Sequence, residues 1–286
     1  KKFSGAASLA VVHNQNSTKA FMETTEITES AGVGQVDITA DNKSRLGASA
    51  LSGAGGGKIG VGGSAATLYT DNDYQAYLGA DSNLNLGGLK LEAENQKIDS
   101  NLSEYQNFND LSLSSLIGEK NYYTQAAAGS IGGTAAVSGA LTYNYIADDT
   151  TSYIGDNTII TTASDLNVVS KNKTTSAAAA GSVGLGGKAG VGLASSNIIY
   201  NSVTQSYLGT NSQVLNTANL NIEAVNKQDL DLYGISTAGA GSFGLSGVVN
   251  FVKSDNNTLA YVKSGSQLFA RNSIDLNTDS DFELLN

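Results

Sequence analysis

SAAAAGSVGLGGKAGVGLASSNIIYNSVTQSYLGTNSQVLNTANLNIEAVN, residues 176–226, is the stretch that decides how this chain is built. It opens on a run of small residues, Ala177 to Gly192. An aromatic-aliphatic strand follows, in which Tyr207 and Leu208 are closed by Gly209. The stretch ends on an alternating strand, Leu220-Asn221-Ile222-Glu223-Ala224, stopped by Asn226. The same design recurs when the aromatic is used as a ruler. Ala20-Phe21-Met22, Ala76-Tyr77-Leu78-Gly79, Ser152-Tyr153-Ile154-Gly155 and Ala260-Tyr261-Val262 all match Ser206-Tyr207-Leu208-Gly209. From Tyr153 to Tyr207 and from Tyr207 to Tyr261 the interval is the same, and only from Tyr77 to Tyr153 is it much longer. Each aromatic is followed by a short strand of the LNV type, such as Asp37–Ala40, Leu89–Ala93, Leu166–Val169 and Ile274–Leu276. Self-similarity at a fixed spacing settles the fold class before any single residue does.

Composition narrows the reading further. The 286 residues include 33 glycines and no proline, cysteine or tryptophan. Proline cannot donate to a strand ladder, and its absence leaves every segment free to pair. Without cysteine there is no disulfide framework and no thiolate metal site. That fits a cytosolic protein, or an export substrate held unfolded in transit. A net charge of −10 argues against nucleic acid and against anionic membrane surfaces as partners. No window approaches the ~18 to 20 apolar residues of a membrane helix, so no membrane insertion by this segment is expected. The chain begins Lys-Lys-Phe and ends in a strand-like copy, which reads as a fragment of a longer array.

Short alternating runs with Gly, Asn or Asp stops predict an all-β protein. The fold expected is a β-solenoid built from repeats of about 54 residues and spanning 1–286 as a single body. A unit of that length suits two or three coils of ~20 to 27 residues, given solenoid repeats of ~20 to 45. Equivalent residues in successive copies would then lie ~10 to 14 Å apart. Asn95, Asn172 and Asn226, at the ends of LNV strands, suit a stacked ladder at a solenoid corner, since Asn tolerates the left-handed region. The glycine- and alanine-rich runs fit either close packing of sheets or glycine-tipped hairpins. The long interval between Tyr77 and Tyr153 marks an insertion at about 98–123, in which Asn109 to Ile117 has the pattern of a short capped helix.

Copies of the form AYIG…LNV…N followed by AAAGSxGxGG resemble the haemagglutinin-type repeats of filamentous-haemagglutinin-like and autotransporter adhesins, and of the related fusobacterial leukotoxin. The resemblance covers roughly residues 4 to 286 and lies in repeat texture. It implies a right-handed parallel β-helix passenger exported across an outer membrane to the cell surface or beyond. It implies attachment to host cells or other bacteria through a surface receptor or glycan. A segment of a large secreted cytotoxin is the alternative, and a polysaccharide-active β-helix enzyme a third.

The residues themselves point away from catalysis. His13 is the single histidine, so no histidine cluster or second-histidine triad exists. Gly184-Leu185-Gly186-Gly187-Lys188-Ala189 loosely matches a dinucleotide fingerprint, yet no helix is expected after it and similar glycines recur in every copy. Asp71, Asp73, Asp148, Asp149 and Asp255 precede the aromatic strands and read as solvated turn charge. Calcium would need a repeated ligand spacing that these loops lack. No cofactor, metal site or catalytic residue is assigned. The least repetitive segment carries Tyr105, Phe108, Tyr122 and Tyr123, and aromatics on a loop borne by a rigid scaffold are the candidates for recognition. Their bland alternative is a cover over an apolar face.

Overall fold

A computed structural model describes residues 2–27, 34–96 and 120–286. Every element among these residues is a β-strand, in the order β1 (Phe3–Met22), β2 (Glu26–Ile27), β3 (Gln35–Lys43), β4 (Leu46–Gly56), β5 (Ile59–Leu78), β6 (Asn83–Leu86), β7 (Gly88–Gln96), β8 (Tyr122–Gly132), β9 (Ala135–Ile154), β10 (Ile159–Thr162), β11 (Leu166–Gly186), β12 (Ala189–Leu208), β13 (Gln213–Ala240), β14 (Phe243–Val262) and β15 (Gln267–Leu285). Two parallel sheets result. One is five-stranded, in the order β1-β5-β9-β12-β14; the other runs β2-β6-β10-β13-β11-β7-β3, with β15 on β13 and with β4 and β8 continuing it beside β11.

The aromatic ruler of the sequence is the register of the five-stranded sheet. Phe21 pairs with Tyr77, Tyr77 with Tyr153, Tyr153 with Tyr207 and Tyr207 with Tyr261. The expected spacing between copies is corrected. Equivalent residues of adjacent copies are direct neighbours on paired strands, and the rings of Tyr153 and Tyr207 lie 5.0 Å apart rather than ~10 to 14 Å. The reason is strand length. β12 and β13 take 20 and 28 residues, so the stretch from 189 to 240 is spent on one strand in each sheet, not on several short coils.

Side chains alternate strictly along β5, β9 and β12, with even-numbered residues of β12 turned inward and odd-numbered ones outward. The space between the sheets changes character along the strands. Leu78, Ile154, Leu166, Leu208 and Ile222 fill one end. Leu68, Ile146, Ile198 and Leu230 form a second apolar zone. Beyond it Ala66, Ala140, Ala180 and Ala194 bring the layers closer. At the far end the sheets meet backbone to backbone. A Cβ built on Gly184 lands on the carbonyl oxygen of Val191, and one on Gly62 lands on that of Gly129. These runs are therefore close-packed inner strands. β11 and β12, joined across Gly187-Lys188, belong to different sheets and do not form a hairpin.

The corners after the aromatics are sharp. Asp81, Asn157 and Asn211 hold φ of 56°, 56° and 55°, and Gly265 stands at the matching position with φ of 77°. Asp, Asn and Gly tolerate this left-handed conformation best. The corner thus falls here, whereas Asn95, Asn172 and Asn226 lie within strands β7, β11 and β13 with 0% exposure. Ser82, Ser212 and Ser266 brace the corners by donating to the carbonyls of Gly79, Gly155 and Gly209 at 2.9, 2.9 and 2.7 Å.

Candidate functional site

Three groups of residues carry chemistry: a buried polar layer, a ladder of outward rings, and the foot of the insertion. The polar layer interrupts the apolar core. Asn42, Asn95, Asn172 and Asn226 are register partners on one side, and Asn95 donates to Asn172 at 2.9 Å. Opposite them stand Asn72, Asp148 and Ser202 on neighbouring strands. Tyr74, Tyr122 and Tyr200, each 0% exposed, project their hydroxyls into the layer. The hydroxyl oxygens of Tyr74 and Tyr200 accept from Asn42 and Asn172 at 3.0 and 2.8 Å. Burial, with Asp148 nearby, pushes all three phenols well above their ordinary range.

Asp148 is corrected from solvated turn charge to a core residue. It lies mid-strand at 0% exposure, accepting from Asn72 Nδ2 at 2.6 Å and from Thr174 Oγ1 at 2.5 Å. Burial raises its carboxyl to about 6, against the two hydrogen bonds that favour the ionised form. Both donors are neutral, and a carboxyl sealed from solvent cannot reach a substrate. Its outward neighbours behave differently. Asp73 and Asp149 are partners across β5 and β9, and Lys19 bridges to Asp73 at 2.8 Å. Among the described residues no group of three or more His, Cys, Asp or Glu is placed to hold a metal ion.

The outward rings of Phe21, Tyr77, Tyr153, Tyr207 and Tyr261 stack at 5.0, 4.8, 5.0 and 5.1 Å between centroids. A second, shorter stack joins Tyr69 to Tyr145 at 4.8 Å, with His13 tilted against Tyr69. Interplanar angles of 4–6° within the Tyr77–Tyr207 and Tyr69–Tyr145 stacks mean that each ring covers its neighbour's face. Only ring edges and hydroxyls then look outward. Such a ladder offers no flat platform to a sugar ring except at its two ends.

Of the four predicted recognition residues, Tyr105 and Phe108 lie outside the described residues, as does the helix expected at 109–117. Tyr122 is a core residue: its ring packs with Leu68, Ile146 and Ala178, and its hydroxyl oxygen accepts from Asn72 Nδ2 at 3.0 Å. It has no face to present. Tyr123, the next residue along β8, points outward, with the Arg45 guanidinium 5.8 Å from its ring centre. Lys120, at the same foot, reaches Asp229 at 2.5 Å and Asp231 at 3.0 Å. Asn121 Nδ2 donates to the Gln96 carbonyl at 3.1 Å and so ties the outgoing strand to the returning one. The ladder of Asn95, Asn172 and Asn226 is legible in the sequence, though it lies mid-strand and not at a corner. Asp148 and the inward tyrosines that complete the polar layer, the corner residues and Arg45 escape a sequence reading. The corner alone left a signal, a Gly-x-Asp/Asn-Ser/Thr pattern at Gly79, Gly155 and Gly209.

No protein-family model, curated protein or solved structure matches this chain.

Proposed function

We propose that the chain is a rigid, non-enzymatic segment of a bacterial surface or secreted adhesin. It is wound as one right-handed parallel β-helix, one repeat to the coil, and exported across an outer membrane. It mediates attachment to host cells or other bacteria. One observation carries this reading. β9, β12 and β14 pair in parallel, Ala135 with Ala189 and Ala189 with Phe243, and keep that register along their full 20-residue lengths. Such stacking makes a stiff body whose coils are interchangeable and whose variable chemistry is confined to insertions. The foot of the insertion, with Tyr123 beside Arg45 and Lys120 beside two aspartates, is the surface assigned to recognition. A cell-surface protein or glycan is the class of partner such mixed aromatic and charged groups accept.

The test is binding of the purified chain to cultured epithelial cells and to immobilised extracellular matrix. Saturable binding that falls in Tyr123→Ala and in a variant lacking 97–119 is the expected result. Binding to neither surface sinks the adhesin reading. Loss of cell viability would move the chain to the cytotoxin class, and release of reducing sugar from polysaccharide would make it an enzyme.

A further inference from the structure

One half of the five-stranded sheet is built unlike the other. Residues 3–12, 59–68, 135–144, 189–198 and 243–252 are the first halves of β1, β5, β9, β12 and β14, and they contain no Asp, Glu, Lys or Arg. Their outward side chains include Leu9, Val61, Leu141, Leu193, Leu245 and Val249, each between 37% and 71% exposed. Ten residues of strand by five strands covers ~33 Å by ~24 Å, or ~800 Å². The largest apolar patch on an ordinary monomer is ~300 to 600 Å². One partner's share of a standard protein interface is ~800 Å².

We propose that this face is where a second copy of the chain docks, sheet against sheet about a two-fold axis. The relief of the surface is its own complement. Leu193 stands as a ridge in a row otherwise made of Ala7, Gly63, Gly139 and Gly247. A shallow groove of about 560 Å³ runs beside it, lined by Gly139, Leu141, Gly247 and Val249. A two-fold contact sets the ridge of each copy against the small residues of the other, as an isologous interface requires. Charge selects the same face. Each copy carries −10 and repels its twin, and Asp71, Asp73 and Asp149 all sit in the other half of the sheet. Two copies meet at least electrostatic cost where neither brings a charge. This inference goes beyond the adhesin reading and stands without it.

Sedimentation of the full 286-residue chain from ~1 to ~100 μM should show a monomer–dimer equilibrium that tightens as salt rises, since salt screens like charges and leaves apolar contact intact. Leu193→Glu enters a two-fold interface twice and should weaken dimerisation at least ~tenfold. Leu9→Glu should weaken it too, whereas Thr151→Glu, outward in the charged half, should not. Circular dichroism and melting of each variant report whether the sheets are intact. A chain that stays monomeric throughout overturns the proposal, as does a dimer indifferent to both leucine variants. A monomer that co-sediments with phosphatidylcholine vesicles, and ceases to in Leu193→Glu, assigns the face to a lipid surface and equally overturns it.

Discussion

At Asp148 the chain places a carboxyl where its neighbours on the same row use neutral groups, Asn72 and Ser202. Its carboxyl is raised from 3.8 to about 6 by burial, so the folded state holds the proton more tightly than the unfolded one. Its contribution to stability is therefore complete below pH ~4 and is lost as pH rises through about 6. A rise of that size corresponds to about 3 kcal/mol. Asp148→Asn keeps the shape and can still accept from Asn72, while Thr174 can turn its hydroxyl to accept the new amide. The substitution should stabilise the protein by up to about 3 kcal/mol at pH 8, with the gain vanishing near pH 4. Denaturant melts of both proteins at pH 4, 6 and 8 decide, and a gain independent of pH would show that Asp148 is not the titrating group. The comparison must be a difference, because Glu92 acts in the opposite sense. Burial would raise Glu92, but its bridges to Lys171 and Lys90 hold it below 4.5, so its stabilisation is lost as pH falls. Outside the core, Tyr153→Ala should cost neither the ~3 to 5 kcal/mol of a core cavity nor nothing. The ring is outward yet stacked on both faces, at 4.8 Å to Tyr77 and 5.0 Å to Tyr207. Two aromatic pairs at ~0.5 to 1.5 kcal/mol each give ~1 to 3 kcal/mol, readable in a thermal melt.

Among the elements, β7 and β8 are two pieces of what β11 is as one. Partners on β7 and β11 are 77 residues apart, as Asn95 and Asn172 are. At β8 the offset falls to 54, the separation of Asn121 from Thr175 just before it, and the difference is the length of 97–119. Gln96 and Lys120 thus stand where Lys173 and Thr174 run on without interruption, and Asn121 already closes the gap by donating to the Gln96 carbonyl. Deleting 97–119 outright should restore an unbroken strand, with the β circular dichroism spectrum kept and melting shifted by no more than a few degrees, since closing so short a gap costs little. A collapsed fold would show that the segment covers the core. The location of this insertion was legible from the interval between Tyr77 and Tyr153, but its boundary was not. The boundary is set by Tyr122, which the sequence presents as one of two adjacent aromatics and the sheet separates into an inward and an outward ring. The alternating pattern could not expose the polar layer either. In β12 the inward row contains Ser202, Thr204 and Ser206 and the outward row Asn201, Val203 and Gln205, so neither polarity nor size distinguishes the faces. What proved readable was spacing, because parallel in-register pairing turns sequence intervals directly into sheet register.

For the whole molecule, a strand's place in its sheet decides how many partners support it, so stability becomes a property of position. β9 and β12 have partners on both sides, whereas β1 and β14 end the five-stranded sheet and each has one. Side chains that face inward from interior strands are sealed, as at Ile154 and Leu208 with 0% and 1% exposure, whereas on the last strand Val248 is 42% exposed. In the proposed β-helix each layer owes its stability to its neighbours, so opening should begin at the ends and run inward. Native-state hydrogen exchange on the 286-residue chain should therefore rank amides by strand rather than by residue type. Protection should be greatest in β9, intermediate in β5 and β12, and least in β1 and β14. The glycine-rich first halves of the strands should follow the same order, because their amides are paired in the same ladders. The lateral dimer makes a second demand on this experiment. Burying the uncharged half of the sheet should slow exchange in 189–198 more than in 199–208 at high protein concentration, and Leu193→Glu should erase that contrast while leaving the gradient from strand to strand. Uniform protection from β1 to β14 would mean that the sheets open as one cooperative unit, and the picture of independently stacked layers would have to be abandoned.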